Sequence, residues 1–298
     1  MKINSKTMTL NGADVPYLTY DRLSEIPFIN HAFSTRLGGV SRDEFTSMNL
    51  SFGRGDPDEN VTENYKRFCK SAGFEYESLV ASAQVHETVV RKVTDDNRGI
   101  GIYKPKDILS VDALITQDPR VTLVTYYADC TPVFFVDTKN KAIGLAHAGW
   151  RGTVGNIVGE VINSMKTEFG TNPADLICAV GPVIGVCCYE VSADCADEFR
   201  KLFDKDSKVI NDTDKTDKFM IDLALANSIL LERAGVSHEN IVVIAAFCHD
   251  LYQAAAVSKG IGIKCYSRND TEFFLEILAA TENLTNHSLT TGHVTVRL

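Results

Sequence analysis

The sequence predicts an α+β protein: a single compact domain of mixed β-sheets with flanking helices, spanning residues 1–298. Three observations carry this reading. Apolar runs of strand length sit beside one another, as 79–85 with 88–93 and 111–116 with 121–127 do. Helical patterns are grouped between these blocks instead of alternating one for one with strands, which disfavours a doubly wound sheet. No Pro/Gly/Ser-rich linker, low-complexity run or internal repeat divides the chain.

Taken in order, 58–72 reads as a helix with Asp58 and Glu59 in its first turn and a stop at Gly73. Strands 79–85 and 88–93 flank His86, and 111–116 and 121–127 add two more. The runs 133–136 and 142–146 form a hairpin through the polar turn Asp137-Thr138-Lys139-Asn140. Residues 153–169 have helical spacing (Val154, Ile157, Val158, Val161, Ile162, Met165) and end at Gly170. Strand 176–180 leads into "GPVIG", where Cys187 and Cys188 read as small packing residues on opposite faces of a strand. Helices 192–203 and 221–234 and a buried strand 241–247 follow.

At 44% hydrophobic and 23% charged, the chain can bury a large core without staples. Thirty basic against thirty-nine acidic residues give −9, which disfavours a nucleic-acid polymer as partner. The segment "MKINSKTMTLNGADV" lacks the apolar core of a signal peptide, and no run reaches membrane-span length. Eight scattered cysteines then read as reduced thiols of a cytoplasmic protein, a monomer or homodimer.

The hairpin carries the first functional clue. It folds its outer ends together, so Cys130 before the first strand and His147 after the second become neighbours. His86 likewise stands at a strand end. Two imidazoles and a thiolate form a zinc set, with bonds of about 2.0–2.3 Å and one position open. Spacing alone, without a Cys-x-x-Cys or His-x-x-x-His, favours a plainer reading as a buried cysteine and two satisfied histidines.

The strings "HAFSTRLGGVS" (31–41), "NLSFGRGD" (49–56), "AQVH" (83–86), "DALIT" (112–116), "ADCTPVFFVD" (128–137), "GLAHAGWRGT" (144–153) and "GPVIGVCCYEV" (181–191) run in one order along the chain. Together they resemble the laccase-domain family, whose members are labelled polyphenol oxidases of the YfiH type and reassigned as purine nucleoside phosphorylases. The resemblance implies the CNF/YfiH-like fold and one zinc ion on His86, Cys130 and His147. It also implies phosphorolysis of adenosine, inosine, guanosine and S-methyl-5′-thioadenosine, with deamination of adenosine.

These residues suit that chemistry. A zinc ion with an open position lowers the pKa of bound water toward about 7, which deamination at purine C6 needs. Cys130, His147 and Arg151 are the candidate catalytic residues. Arg151 offers a forked cation, Gly149 lets backbone approach, and Thr153 stands at a predicted helix N-terminus that favours phosphate. Arg36 reads as a second substrate cation or as a structural ion-pair partner. Asn49 reads as a ribose contact or a turn residue. Asp129 can orient His147 or a water, and Trp150 can stack a purine or simply fill the core.

Copper is disfavoured as the metal. Four-copper oxidases need about ten histidines, several in His-x-His pairs. This chain has seven, none two positions from another, so copper at the zinc site would support only weak polyphenol oxidation. Two further alternatives are a metal-free Cys130/His147 dyad hydrolase and a catalytically silent binding subunit. The carboxyl end, from about residue 250, departs from the family: paired arginines are missing, His293 stands where Gly-Arg is expected, and Arg268 or Arg297 is the available substitute.

Overall fold

The computed structural model describes residues 8–128, 130–204, 207–244 and 291–298. Its strands are β1 (Met8–Asn11), β2 (Tyr17–Tyr20), β3 (Asn30–Ser34), β4 (Leu79–Ala81), β5 (Val90–Lys92), β6 (Ala113–Thr116), β7 (Thr122–Ala128), β8 (Thr131–Asp137), β9 (Ala142–Ala148), β10 (Leu176–Val180), β11 (Glu190–Ser192), β12 (Ile210–Asp212), β13 (Lys218–Ile221), β14 (Ile241–Val243) and β15 (Thr291–Arg297). The helices are α1 (Asp21–Ser24), α2 (Asp58–Ala72), α3 (Trp150–Val154), α4 (Ile157–Phe169), α5 (Ala193–Arg200) and α6 (Leu223–Arg233).

Two six-stranded sheets, ordered β1-β2-β3-β15-β7-β4 and β14-β10-β8-β9-β6-β5, stack on each other. Alternation along β8 shows how. Phe134 and Val136 enter the layer between the sheets with Leu18, Phe33 and Leu123, while Val133 and Phe135 face α4 and α6 beside Val158, Met165 and Leu230. A strand covered on both faces reads as an unbroken apolar run, which is why "VFFV" shows no period of two. Phe134 and Phe135 are fully buried, each contributing about 2–3 kcal/mol. Helix α2 covers the outer face of the first sheet through Val61, Tyr65 and Phe68 against Ala32, Leu79 and Val124. The layer order is therefore helix, sheet, sheet, helix. The predicted mixed sheets with flanking helices are what the chain builds.

Several predicted boundaries change. Helix 153–169 is two helices: α3 starts at Trp150, and Asn156 (φ 61°, left-handed) breaks the run and caps α4 by accepting the Gly159 N–H. Strands 79–85 and 88–93 shrink to β4 and β5, leaving a loop around His86. Helix 192–203 shortens to α5, and 221–234 to α6 behind the Asp222 cap. Cys187 and Cys188 lie in an exposed turn instead of a strand, with sulfurs 3.4 Å apart. Of strand 241–247, β14 covers the first three residues and Phe247 lies outside the described residues. Strands β1, β2 and β3 had no sequence prediction.

Candidate metal centre

Three separate features of the fold deliver the three candidate ligands. On β9, Ile143 and Leu145 point between the sheets, and the same period carries His147 there. Its ring lies 5.6 Å from that of Tyr127. Cys130 sits where the chain crosses from β7 in one sheet to β8 in the other. The β8–β9 register, Thr131 opposite Ala148 and Pro132 opposite His147, brings Cys130 alongside Gly149 and His147. His86 comes from the loop between β4 and β5 in left-handed backbone, φ 67°. The ligand atoms of His86, Cys130 and His147 all lie within 4.8 Å of one another. The expected meeting of Cys130 and His147 is therefore realised.

Beneath them lies Asp112, fully buried just before β6. Its Oδ1 accepts from His147 Nδ1 (2.8 Å) and the His86 N–H (3.0 Å). Its Oδ2 accepts from the N–H groups of Val85 (3.1 Å) and Glu87 (2.9 Å). The Asp112 carbonyl also accepts the His147 N–H at 2.8 Å. Burial alone raises a carboxyl pKa, yet the bonds from His147 and the three backbone N–H groups outweigh it and hold Asp112 below its ordinary value. His86 is held below its ordinary value by partial burial and by repulsion from His147 and Arg151, against the pull of Asp112. Sequence reasoning passed over Asp112. An acidic residue opening a fully apolar strand, "DALIT", was the available signal, because buried carboxylates are rare without a partner.

This donor set fits a divalent, borderline-soft ion. One thiolate and one carboxylate balance a 2+ charge, and two imidazoles with a thiolate suit zinc. The one ion-pair partner of Asp112 among the described residues is His147, so no basic side chain there already neutralises it. Gly149 leaves the room. A Cβ on it would stand 2.8 Å from His86 Cδ2, 3.1 Å from Cys130 Sγ and 3.8 Å from His147 Cε1.

The other candidates fall in different places. Arg151 is exposed, with its guanidinium 4.3 Å over the Trp150 ring and close enough to His86 to lower its pKa. Trp150 is partly buried against the core under α4. Thr153 is turned away: its N–H bonds the Gly149 carbonyl and its hydroxyl accepts from Asn227, because α3 begins three residues earlier than predicted. Arg36 donates to the carbonyls of Thr46 (2.8 and 3.1 Å) and Glu44 (3.1 Å). The Asn49 side chain bonds Asp56 and Ser51 within its own turn. Asp129, Arg268 and the side chain of His293 lie outside the described residues. Arg297 pairs with Thr122 at the end of β7 remote from Cys130 and donates to Pro119, so it replaces nothing at this centre.

Comparison with known proteins gives the family and the fold. Residues 30–252 match the family described as multi-copper polyphenol oxidoreductase laccase, and the chain belongs to that family. It is 39% identical over 211 residues to the purine nucleoside phosphorylase SSP1584 of Staphylococcus saprophyticus, covering 70% of this chain and 78% of that one. A purine nucleoside phosphorylase of Bacteroides thetaiotaomicron is 34% identical over 256 residues, covering 84% and 93%. The crystal structure of YlmD from Geobacillus stearothermophilus superposes with TM-score 0.77 at 28% identity, covering 94% and 95%. That of the hypothetical protein YfiH from Bacillus licheniformis gives 0.78 at 26%, covering 96% and 97%. Among the described residues no helix is long and apolar enough to cross a membrane.

Proposed function

We propose that this protein is a zinc-dependent purine nucleoside phosphorylase of the cytoplasm, acting on adenosine, inosine, guanosine and S-methyl-5′-thioadenosine, with adenosine deaminase activity at the same centre. The observation that carries the reading is the convergence of His86, Cys130 and His147 within 4.8 Å, with the charge of Arg151 felt at His86. Relatives named purine nucleoside phosphorylases support the activity. His86, Cys130 and His147 would hold the zinc, which when bound supplies a Lewis acid beside the substrate. Arg151, over the Trp150 ring, offers a forked guanidinium whose N–H donors suit phosphate oxygens. In phosphorolysis a phosphate oxygen forms the bond to C1′ as the bond from C1′ to the base nitrogen breaks. The base leaves with a proton from solvent, and the sugar leaves as its 1-phosphate. Arg151 neutralises the attacking anion near the site of bond exchange.

The test is hypoxanthine release from inosine with and without phosphate, run beside adenosine deamination. Release should require phosphate, and Arg151→Ala should weaken it more than it weakens deamination. Equal losses would assign Arg151 to structure or nucleoside, and no release at any phosphate concentration would leave a silent binding protein. One observation favours a second reading: the bond from His147 to Asp112 aligns Cys130, His147 and Asp112 as in a cysteine hydrolase. Iodoacetamide separates the two. A metal-held Cys130 labels slowly until a chelator is added, whereas a free nucleophile labels fast in the zinc-replete protein.

A further inference from the structure

We infer that Asp112 is the positioning residue of the metal centre, a single carboxylate that sets the tautomer of His147 and holds the loop carrying His86, so that both imidazoles face Cys130. Among the described residues both Asp112 oxygens meet only N–H groups, four in all. A carboxylate accepts and does not donate, so His147 must carry its proton on Nδ1. Its Nε2 lone pair is then left for an ion. The same Oδ1 takes the backbone N–H of His86, which ties the second imidazole to the first through one atom.

The His86 loop needs that tie. Three consecutive N–H groups, from Val85, His86 and Glu87, converge on the carboxylate while His86 keeps a left-handed backbone, a conformation that persists only where surroundings enforce it. On its other side the loop is clamped to the first sheet by Gln84, whose amide donates to the Tyr126 carbonyl and accepts the Tyr126 N–H, both at 2.8 Å. His86 therefore hangs between the two sheets, with Gln84 fixed to one and Asp112 to the other. Only the Asp112 anchor also touches a second candidate ligand.

This inference rests on the zinc reading of His86, Cys130 and His147, and its readouts are zinc affinity and imidazole tautomer, neither of which needs phosphorolysis. In metal-free wild-type protein, long-range proton–nitrogen NMR should show His147 protonated at Nδ1 and bare at Nε2. The opposite tautomer overturns the proposal without any variant. Asp112→Asn should lower zinc affinity about 10–100-fold, measured by chelator competition, and scramble the His147 tautomer. Gln84→Ala should loosen the loop and weaken zinc while leaving the His147 tautomer intact. If Asp112→Asn binds zinc within twofold of wild type, or if the two variants give the same tautomer spectrum, Asp112 is only a loop anchor and the inference fails. Zinc loss in Asp112→Asn alongside a wild type that releases no base would sink the phosphorylase reading and leave this one standing.

Discussion

His31 and His147 both lie buried between the two large sheets, at 2% and 3% exposure, and both come from strands whose neighbouring side chains fill the same layer. His31, on β3, accepts the Tyr20 N–H through Nε2 at 2.7 Å. Its ring stacks on Tyr20 at 5.9 Å and meets Phe134 edge-on at 6.2 Å. His147 instead donates Nδ1 to a buried carboxylate and turns toward Cys130 and His86. Burial is the same in both cases. What separates a packed core histidine from a candidate ligand is the partner on the inner nitrogen: a backbone donor consumes a lone pair, whereas a carboxylate accepts the N–H and leaves the lone pair of the far nitrogen free.

The comparison breaks most easily at the metal. His147→Gln should lower zinc affinity on the order of a thousandfold, because one of three protein ligands is lost from a site whose binding energy is shared among them. His31→Gln should bind zinc as wild type does. Equilibrium dialysis with chelator competition reads both. Equal losses in the two variants would mean that both histidines act through the fold, and the distinction drawn from their partners would be wrong.

Crowding gives a smaller effect of the same kind. A methyl group at Gly149 would meet His86 Cδ2 at 2.8 Å and Cys130 Sγ at 3.1 Å, both closer than normal contact. His147 is fixed in β9, so the loop ligand His86 must yield first. Gly149→Ala should therefore weaken zinc on the order of a hundredfold and broaden the His86 ring signals while those of His147 stay sharp. Unchanged zinc affinity would show that the centre has slack that the ligand spacing does not suggest.

What the sequence disclosed follows the same physics. The hairpin of β8 and β9 was legible because its length, turn and apolar runs are local, and its register then places Cys130 by His147. His86 was named from a predicted junction of two strands that the structure replaces with a loop between β4 and β5, and its place as a ligand came only through the motif resemblance. Asp112 escaped because its role depends on backbone N–H groups 25 to 27 positions away. Thr153 was misjudged by a helix start: the turn at Gly155 and Asn156 has no apolar signature, so two helices read as one. Arg36 and Asn49 bond within their own loops, a local use that composition does not distinguish from a substrate contact. The strands β1 to β3 are short and carry Tyr, Thr and Asn among their apolar residues, too brief for alternation to stand out.

The smallest expected effect concerns stability and centres on His31. Burial is the largest cause and lowers its pKa from 6.5 to about 4. The folded value is depressed, so between these limits the unfolded chain binds more protons and stability falls as pH falls. The contribution is complete above pH 6.5 and disappears as pH approaches 4. From pH 6.5 to 5 the loss should be about 1.5 kcal/mol, since the full slope of roughly 1.4 kcal/mol per unit is reached only well below pH 6.5. Most carboxylates remain ionised across that window, and the difference between wild type and a His31 variant removes the parallel contribution of His86, which is also held below its ordinary value. Urea unfolding of metal-free protein at pH 7, 6, 5.5 and 5 reads it, with His31→Gln as reference. Wild type should lose stability more steeply than His31→Gln, which keeps only the slope from the remaining histidines. Parallel curves would show that His31 takes a proton without disturbing its neighbours, and its place as the acceptor for Tyr20 would then have to be given up.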